Sequence, residues 1–301
     1  MASELVRELL DAGIHFGHRV SRWNPKMQPY IFGKRNMIHI VDIKETYRGL
    51  LRAKKFLTRL VAEGGDVVFV GTKRQAKNIV EAHAKRCNMH YVTERWLGGT
   101  LTNFQTVRSR LARLEELERL EDTGELQNYS KKMISTLQRE KKKIKRNLEG
   151  VRRMNKLPAV MVIFDTGYEH IAVHEARKLK VPTVGLIDTD GDPAFTDIPI
   201  PGNDDSMRGI EIIMRELADA VLEGMAARPE EQPGMEGQGE EGGSRPGRPR
   251  PRRRPPERTA PAASEPAPPP PQQAAPAGPS PSPSQSQVSP EAPEQGEPQS
   301  S

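Results

Sequence analysis

Short, continuous apolar runs that alternate with helical patterns constrain this chain most. The clearest runs cover residues 66–70, 159–164 and 183–187, and polar or glycine residues follow each of them. A strand without polar alternation is buried on both faces, as in parallel sheets that helices cover. The helical patterns that supply this cover run over residues 73–87, 169–179 and 205–225. We therefore predict an α/β fold with a doubly wound parallel sheet, Rossmann- or flavodoxin-like, with right-handed crossovers.

Weaker patterns extend this prediction at both ends. Residues 37–41, 89–92 and 196–200 are enriched in apolar side chains and predict three further strands. Residues 50–61 carry helical periodicity between the first two sheet segments. We expect all of these elements to belong to the same α/β unit.

Residues 104–149 interrupt the alternation. Phe104, Val107, Leu111 and Leu114 repeat at helical spacing, and a second apolar stripe follows the turn at Gly124. Two amphipathic helices joined by a short loop predict an antiparallel coiled-coil hairpin. Because both stripes are narrow, the hairpin is expected to project from the sheet domain.

The composition changes near residue 228. Residues 228–301 hold 20 of the 27 prolines and contain no Leu, Ile, Phe, Trp or Tyr. Such a segment cannot bury enough apolar surface to offset its ordering entropy, so we predict a disordered, Pro-rich tail. Its arginine island at residues 245–258 is either a weak RNA contact or a plain linker. Residues 1–227 are expected to form one domain that includes the hairpin.

Charge and cysteine content narrow the function classes. Residues 1–227 carry 38 Lys and Arg against 30 Asp and Glu, which favours a polyanionic partner only slightly. Cys87 is the single cysteine, which excludes an internal disulfide and paired-cysteine zinc sites. No run of 18 apolar residues and no signal-peptide pattern occurs, so we predict a cytoplasmic protein without a membrane partner.

Two loops next to predicted helices suit phosphate contact. In the segment 95–104, Arg95 can make a forked phosphate contact, Trp96 can stack, and two glycines allow close backbone approach. The plainer alternative is a buried Trp beside a tight turn. Lys73 and Arg74 follow a strand and open a helix, where backbone N–H groups attract phosphate. The Gly-rich nucleotide motifs are missing there, so a small-molecule nucleotide site is not expected.

Basic clusters complete the candidate nucleic-acid surface. Arg19, Arg22 and Lys26 surround Trp23, a pattern that suits phosphate contact with base or ribose stacking. The alternative is an arm packed on the core with its cations outward. In the second hairpin helix, the cations of residues 141–146, among them Lys141, Lys142 and Lys143, are too dense for pairing within that helix alone. Some of this charge is expected to pair with Glu115, Glu116 and Glu118 of the first hairpin helix. Phosphate contact and an ordinary solvated face are both compatible with that density.

Acidic residues mark another edge of the predicted sheet. Asp165 and Asp188 each end an apolar run, so they are expected at the carboxyl edge of neighbouring parallel strands. There they either bind Mg²⁺ or form turns and cap helices, and the edge can equally face a protein. A second hypothesis is a structural zinc or other divalent-metal site at this edge, and its alternative is that the histidines have ordinary structural roles. Its candidate ligands are His15, His18, Asp188, Asp204 and Asp205.

Several longer strings resemble one known family. They are residues 15–18, 23–27, 31–33, 69–74, 95–104 and 200–205, in the same order along residues 1–225. The chain resembles the second protein of the bacterial small ribosomal subunit. This resemblance implies a non-enzymatic structural protein that binds small-subunit ribosomal RNA on the solvent side, where head and body meet. It further implies contact with other ribosomal proteins, including the first protein of the subunit, and no required cofactor or small-molecule substrate.

Two other function classes remain open at this point. One is an enzyme that uses Asp165 and Asp188 with Mg²⁺ on a phosphorylated small molecule. The other is a binding module outside the ribosome, acting on mRNA or on another protein. Loss of turnover in Asp188→Asn would indicate the first, and protein free of ribosomal subunits would indicate the second.

Overall fold

Seven α-helices, eight strands and five short 3-10 helices build the described part of this computed structural model. That part comprises residues 2–228, with side chains from residue 4. The predicted disorder of the tail and its arginine island at 245–258 lie outside the described residues. The α-helices are α1 Ala2–Asp11, α2 Ile43–Ala62, α3 Arg74–Arg86, α4 Phe104–Asp122, α5 Lys131–Leu148, α6 His170–Leu179 and α7 Met207–Ala226. The strands are β1 Phe16–Arg19, β2 Ile31–Arg35, β3 Ile38–Val41, β4 Val67–Val70, β5 His90–Val92, β6 Val160–Phe164, β7 Thr183–Ile187 and β8 Ile198–Pro201.

The five-stranded parallel sheet confirms the predicted fold class. Its strand order is β5-β4-β6-β7-β8, so the chain builds outward in both directions from the β4–β6 pair. Side chains of β4 alternate between two cores: Val67 and Phe69 face α2, α3 and α7, whereas Val68 and Val70 face α6 and the hairpin base. Burial on both faces explains the unbroken apolar runs.

The strand predicted at residues 37–41 does not join the parallel sheet. It forms β3 of a separate three-stranded antiparallel sheet in the order β1-β3-β2. Asn36 and Met37 both have left-handed backbone angles, with φ of 49° and 61°, and they fold β3 directly back on β2. The prediction missed this hairpin because its tight turn contains no glycine.

Helix α2 begins earlier than its apolar pattern indicates. It starts at Ile43 rather than residue 50, where Asp42 accepts a hydrogen bond from the backbone N–H of Lys44 at 2.9 Å. Such a cap satisfies an otherwise unpaired backbone donor in the first turn. Among the described helices, none is long and apolar enough to cross a membrane.

Helices α4 and α5 form the predicted hairpin. Val107, Leu111 and Leu114 of α4 are buried, as are Leu137 and Leu148 of α5. A turn with Gly124 in the left-handed conformation ends α4, and Ser130 caps α5. The sequence periodicity of this segment therefore reports real side-chain packing.

The N-terminal segment lies against the C-terminal part of the domain. Glu8 of α1 forms a two-pronged ion pair with Arg215 of α7, at 2.9 and 3.0 Å. The backbone N–H of Asn203 donates to the carbonyl of Ile14 at 2.8 Å, and Ile14 is fully buried. This packing brings the segment that carries His15 and His18 to the carboxyl edge of the sheet.

Candidate nucleic-acid interface and acidic edge

The loop that carries Arg95 and Trp96 is fastened to helix α6 by one acid. The Glu175 carboxylate accepts hydrogen bonds from the Trp96 indole at 3.2 Å, from Gly99 N–H at 2.6 Å and from Leu101 N–H at 2.9 Å. Thr102 adds its N–H at 3.1 Å. Burial alone would raise the pKa of the Glu175 carboxyl. The hydrogen bonds to its charged form outweigh burial, so the net effect is a lowered pKa.

This arrangement separates the roles of Trp96 and Arg95. Trp96 is 5% exposed, so the structure favours the alternative of a buried Trp beside a tight turn, for which Gly99 adopts a φ of 92°. Arg95 is exposed and has no ion pair within residues 4–228. Backbone N–H groups of the loop are already hydrogen-bonded to Glu175. The outward-facing guanidinium of Arg95 therefore remains available to bind an anion.

Lys73 and Arg74 point to different surroundings. Lys73 forms ion pairs with Asp205 at 2.7 Å, Asp204 at 2.8 Å and Asp165 at 3.4 Å. Burial alone would lower the pKa of Lys73. Its hydrogen bonds to Asp204 and Asp205 outweigh burial, so the net effect is a raised pKa. Arg74 is exposed and has no ion pair among the described residues. Of the two, Arg74 is the one whose charge faces solvent.

The acidic edge forms around His18 and Lys73. His18 Nδ1 lies 3.0 Å from Asp188 Oδ2, and this contact raises the pKa of His18 to about 9. Burial, together with Asp165 and Asp188, raises the pKa of Asp204 to about 8, against the opposing effect of Lys73. The two cationic groups neutralise part of a dense carboxylate cluster, as buried charges require.

Three of the five candidate metal ligands come together. One donor atom each of His18, Asp188 and Asp204 lies within 4.8 Å of the others. Imidazole and carboxylate donors suit zinc or a similar divalent cation. His15 is not in this group: its ring packs on Phe16 with centroids 4.2 Å apart. Asp205, the fifth candidate, is half exposed and pairs with Lys73.

The basic N-terminal arm lies across the same edge. Asn24 N–H donates to the Thr189 carbonyl at 2.8 Å, and Lys26 pairs with Asp192 at 2.6 Å. Trp23 is half-buried, with its ring 5.1 Å from that of His39. The remaining cations of the arm, Arg19 and Arg22, are exposed and have no ion pair within the described span.

The lysine cluster 141–143 on α5 contains both a paired cation and cations without an ion pair, like the pair Lys73 and Arg74. Lys141 pairs with Glu121 of α4, which raises the pKa of Lys141 and ties the two helices together. Lys142 and Lys143 are exposed and have no ion pair in the part of the chain that the structure describes. Counting lysines along the sequence could not separate these two groups.

Two buried acids with structural roles were not predicted. Glu175 anchors the loop 95–102, and Glu169 accepts a hydrogen bond from Thr72 N–H at 2.8 Å, with its pKa raised by burial. Glu175 stands in an α6 sequence whose buried neighbours are Ala172, Val173 and Ala176. Its position on the apolar face of α6 was the sequence signal that could have indicated that Glu175 is buried.

Comparisons with known proteins agree with this architecture. The family model described as Ribosomal protein S2 matches residues 9–224. The small ribosomal subunit protein uS2 of Rhodopirellula baltica is 62% identical over 224 residues, covering 74% of this chain and 86% of that protein. Those of Acidothermus cellulolyticus and Sorangium cellulosum are 50% and 49% identical, covering 78% and 76% of this chain and 90% and 82% of theirs. From the span of the match and these identities, the chain belongs to the Ribosomal protein S2 family.

Proposed function

We propose that this protein is a structural constituent of the small ribosomal subunit that binds ribosomal RNA and acts in translation without catalysis. One observation carries the RNA-binding part: six of the cations predicted to contact RNA are exposed and lack ion pairs within residues 4–228. They are Arg19, Arg22, Arg74, Arg95, Lys142 and Lys143. Charges of this kind neutralise phosphates and fix position without reading bases.

The remaining candidates support this surface from inside the protein. Trp96 holds the loop of Arg95, and Lys141 holds α5 against Glu121. Lys26 holds the arm on Asp192, and Lys73, at the start of helix α3, pairs with Asp204 of the acidic edge. Trp23 packs on His39. We propose that these five residues position the cations that meet RNA.

We further propose that the acidic edge faces protein rather than RNA. Asp165, Asp188, Asp190, Asp204 and Asp205 would repel phosphate, whereas a basic or polar protein segment complements them. The negative charge of the acidic edge supports docking of the first protein of the small subunit at this edge. We propose that ribosomal RNA binds the exposed cations, where head and body of the subunit meet. A divalent metal held by His18, Asp188 and Asp204 would stiffen the same edge.

Sedimentation tests the proposed function directly. The protein is detected across a sucrose gradient of a lysate, at low and at high salt. Co-migration with small subunits at both salts is expected for an integral component. Protein found mainly at the top of the gradient would contradict the proposal, and turnover lost in Asp188→Asn would then point to an enzyme. Charge reversal at Arg95, Lys142 and Lys143 is expected to reduce incorporation into subunits.

A further inference from the structure

Strand β2 lies at an open edge of the antiparallel sheet. The order β1-β3-β2 leaves one side of β2 without a partner strand among the described residues. The two-residue turn at Asn36 and Met37 closes on Arg35 and Ile38, so that pair exchanges backbone hydrogen bonds. Pairing alternates along an antiparallel ladder, so the N–H and C=O of the next residue, Lys34, turn away from β3. These outward backbone groups can pair with a further strand.

Two large apolar side chains stand at this edge and its turn. Phe32 is 79% exposed and Met37 is 73% exposed, the two highest values among the large apolar side chains of the described part. A bulge next to Phe32 and the charge of Lys34 are ordinary protections of a strand edge, but an exposed aromatic ring is not. Phenylalanine and methionine are enriched where a partner covers a surface.

A cavity of about 210 Å³ opens beside β2, lined in part by Trp23, Ile31 and His39. His39 is only 8% exposed, yet neither of its ring nitrogens has a hydrogen-bond partner within residues 4–228. A neutral imidazole carries one donor and one acceptor, and leaving both unpaired inside a protein is costly. The cavity therefore combines apolar walls with an unpaired polar group, which suits one inserted side chain.

Lys34 and Arg35 determine the charge that a partner must carry. Both are exposed, and neither forms an ion pair in the part of the chain that the structure describes. Cations on a strand edge repel a second copy of the same strand. They attract a strand with Asp or Glu at the facing positions, because opposite charges across a strand pair stabilise the pair. The edge therefore selects an acidic segment.

Ribosomal RNA is the other polyanion to weigh at this edge. Its phosphates would be attracted by Lys34 and Arg35, and a base can stack on Phe32. RNA has no amide ladder, however, so it cannot pair along β2 as a strand does. The apolar cavity at His39 also fits a side chain better than a phosphate backbone. The edge therefore favours a protein partner.

We propose that β2 accepts an extended acidic segment of another protein as an added strand. The segment covers Phe32 and Met37 and places one side chain in the cavity at His39. In this mode of recognition the backbone hydrogen bonds supply affinity, and the pocket and the charges supply specificity. The site goes beyond the proposed RNA binding and does not depend on it.

The probes are two labelled peptides of about nine residues, the length of an ordinary strand. One alternates valine with glutamate and the other alternates valine with lysine, so each presents one apolar and one charged face. A third peptide is the glutamate peptide with alternate amides N-methylated, which removes its backbone donors. Each is titrated against the full chain by fluorescence anisotropy.

Two variants and two matched controls locate the binding. K34E/R35E reverses the charge of the edge, and R52E/K55E reverses the same charge on α2, where both cations are exposed and likewise have no ion pair within residues 4–228. F32S removes the exposed ring, and L157S removes another exposed apolar side chain. All four changes lie at exposed positions, so the variants are expected to fold, which circular dichroism checks.

The glutamate peptide is expected to bind the wild-type chain, and at least about tenfold more weakly to K34E/R35E and to F32S. Both controls should keep wild-type affinity, and the lysine and N-methylated peptides should not bind. No binding of the glutamate peptide up to about 1 mM, or equal binding to wild type and K34E/R35E, would overturn the proposal. Binding of an RNA of about nine uridines through Phe32, without binding of the glutamate peptide, would also overturn it and assign the edge to RNA.

Discussion

The carboxylate of Glu175 accepts a hydrogen bond from the indole N–H of Trp96 at 3.2 Å. The same carboxylate holds the backbone N–H groups of Gly99 and Leu101. Helix α6 therefore fixes the loop from which the hairpin starts, at Phe104. A single buried charge thus sets both the position of Arg95 and the start of α4.

Replacing Glu175 with Gln should destabilise the protein, because an amide nitrogen would face backbone donors that need an acceptor. We expect the free energy of unfolding to fall by about 2 to 4 kcal/mol in urea denaturation. Since the folded pKa of Glu175 is lowered, its contribution is present above the unfolded pKa and is lost as pH falls through the folded pKa. The gap between wild type and variant should therefore narrow in acid.

Glu81→Gln is the matched control for that experiment. Glu81 is a partly exposed acid whose one ion pair within residues 4–228 is with Lys85, in the next turn of α3. Its replacement should change stability by about 0.5 kcal/mol or less. Equal losses in the two variants would show that the buried network at Glu175 has no special importance.

Lys73→Met should be far more costly than Arg74→Met. Lys73 neutralises the buried Asp204, whereas its neighbour Arg74 is exposed. Removing one partner of a buried pair leaves an uncompensated charge, which costs about 3 kcal/mol or more. The exposed substitution is expected to stay within about 0.5 kcal/mol. Chemical denaturation of both variants measures this difference, and similar midpoints would refute the assigned role of Lys73.

His18 should make stability depend on pH above neutrality. Its folded pKa is raised to about 9, from an ordinary value of 6.5. A raised pKa contributes stability that is fully present below 6.5 and is lost as pH rises through 9. At the acidic end of the range from pH 6 to 10, we expect the free energy of unfolding of the wild type to exceed that of His18→Gln by about 1 to 2 kcal/mol, after allowance for solvent screening. Unfolding midpoints from pH 6 to 10 measure it, and a constant difference would contradict the His18–Asp188 pair.

Zinc should raise the unfolding temperature through His18, Asp188 and Asp204. A ligand at 100 times its Kd stabilises by about 2.7 kcal/mol, which corresponds to a rise of roughly 5 to 10 °C. His18→Gln and Asp188→Asn should remove the rise. His15→Gln should keep it, because His15 lies outside the three-residue group. A shift that survives loss of His18 would place the metal elsewhere.

Much of the fold could be predicted because burial leaves a direct trace in sequence. Strands β4, β6 and β7 are covered on both faces, so their runs carry no polar alternation. Of the antiparallel sheet, only β3 left such a trace, as the strand predicted at residues 37–41. Its strands are half-exposed, and its turn at Asn36 and Met37 adopts left-handed angles without glycine.

The candidate site was harder to predict because partners decide what a charge does. Lys73 and Arg74 are adjacent in sequence, yet Asp204, 131 residues away, draws only Lys73 inward. Glu175 stands on the apolar face of α6, but its sequence position does not reveal that its partners are backbone N–H groups of the loop 95–102. Residue type therefore indicated basic and acidic surfaces, whereas only tertiary contacts distinguish a free cation from a paired one.

The packing of the N-terminal segment has a consequence for synthesis. Glu8 forms its ion pair with Arg215. The backbone of Ile14 is hydrogen-bonded to Asn203, and that of Asn24 to Thr189. A chain that grows from its N-terminus must complete nearly the whole domain before its earliest residues meet any of these partners. The N-terminal segment of the nascent protein should therefore lack these contacts until residues 189–215 have left the exit tunnel, and α7, the last helix within residues 2–228, completes them through Arg215.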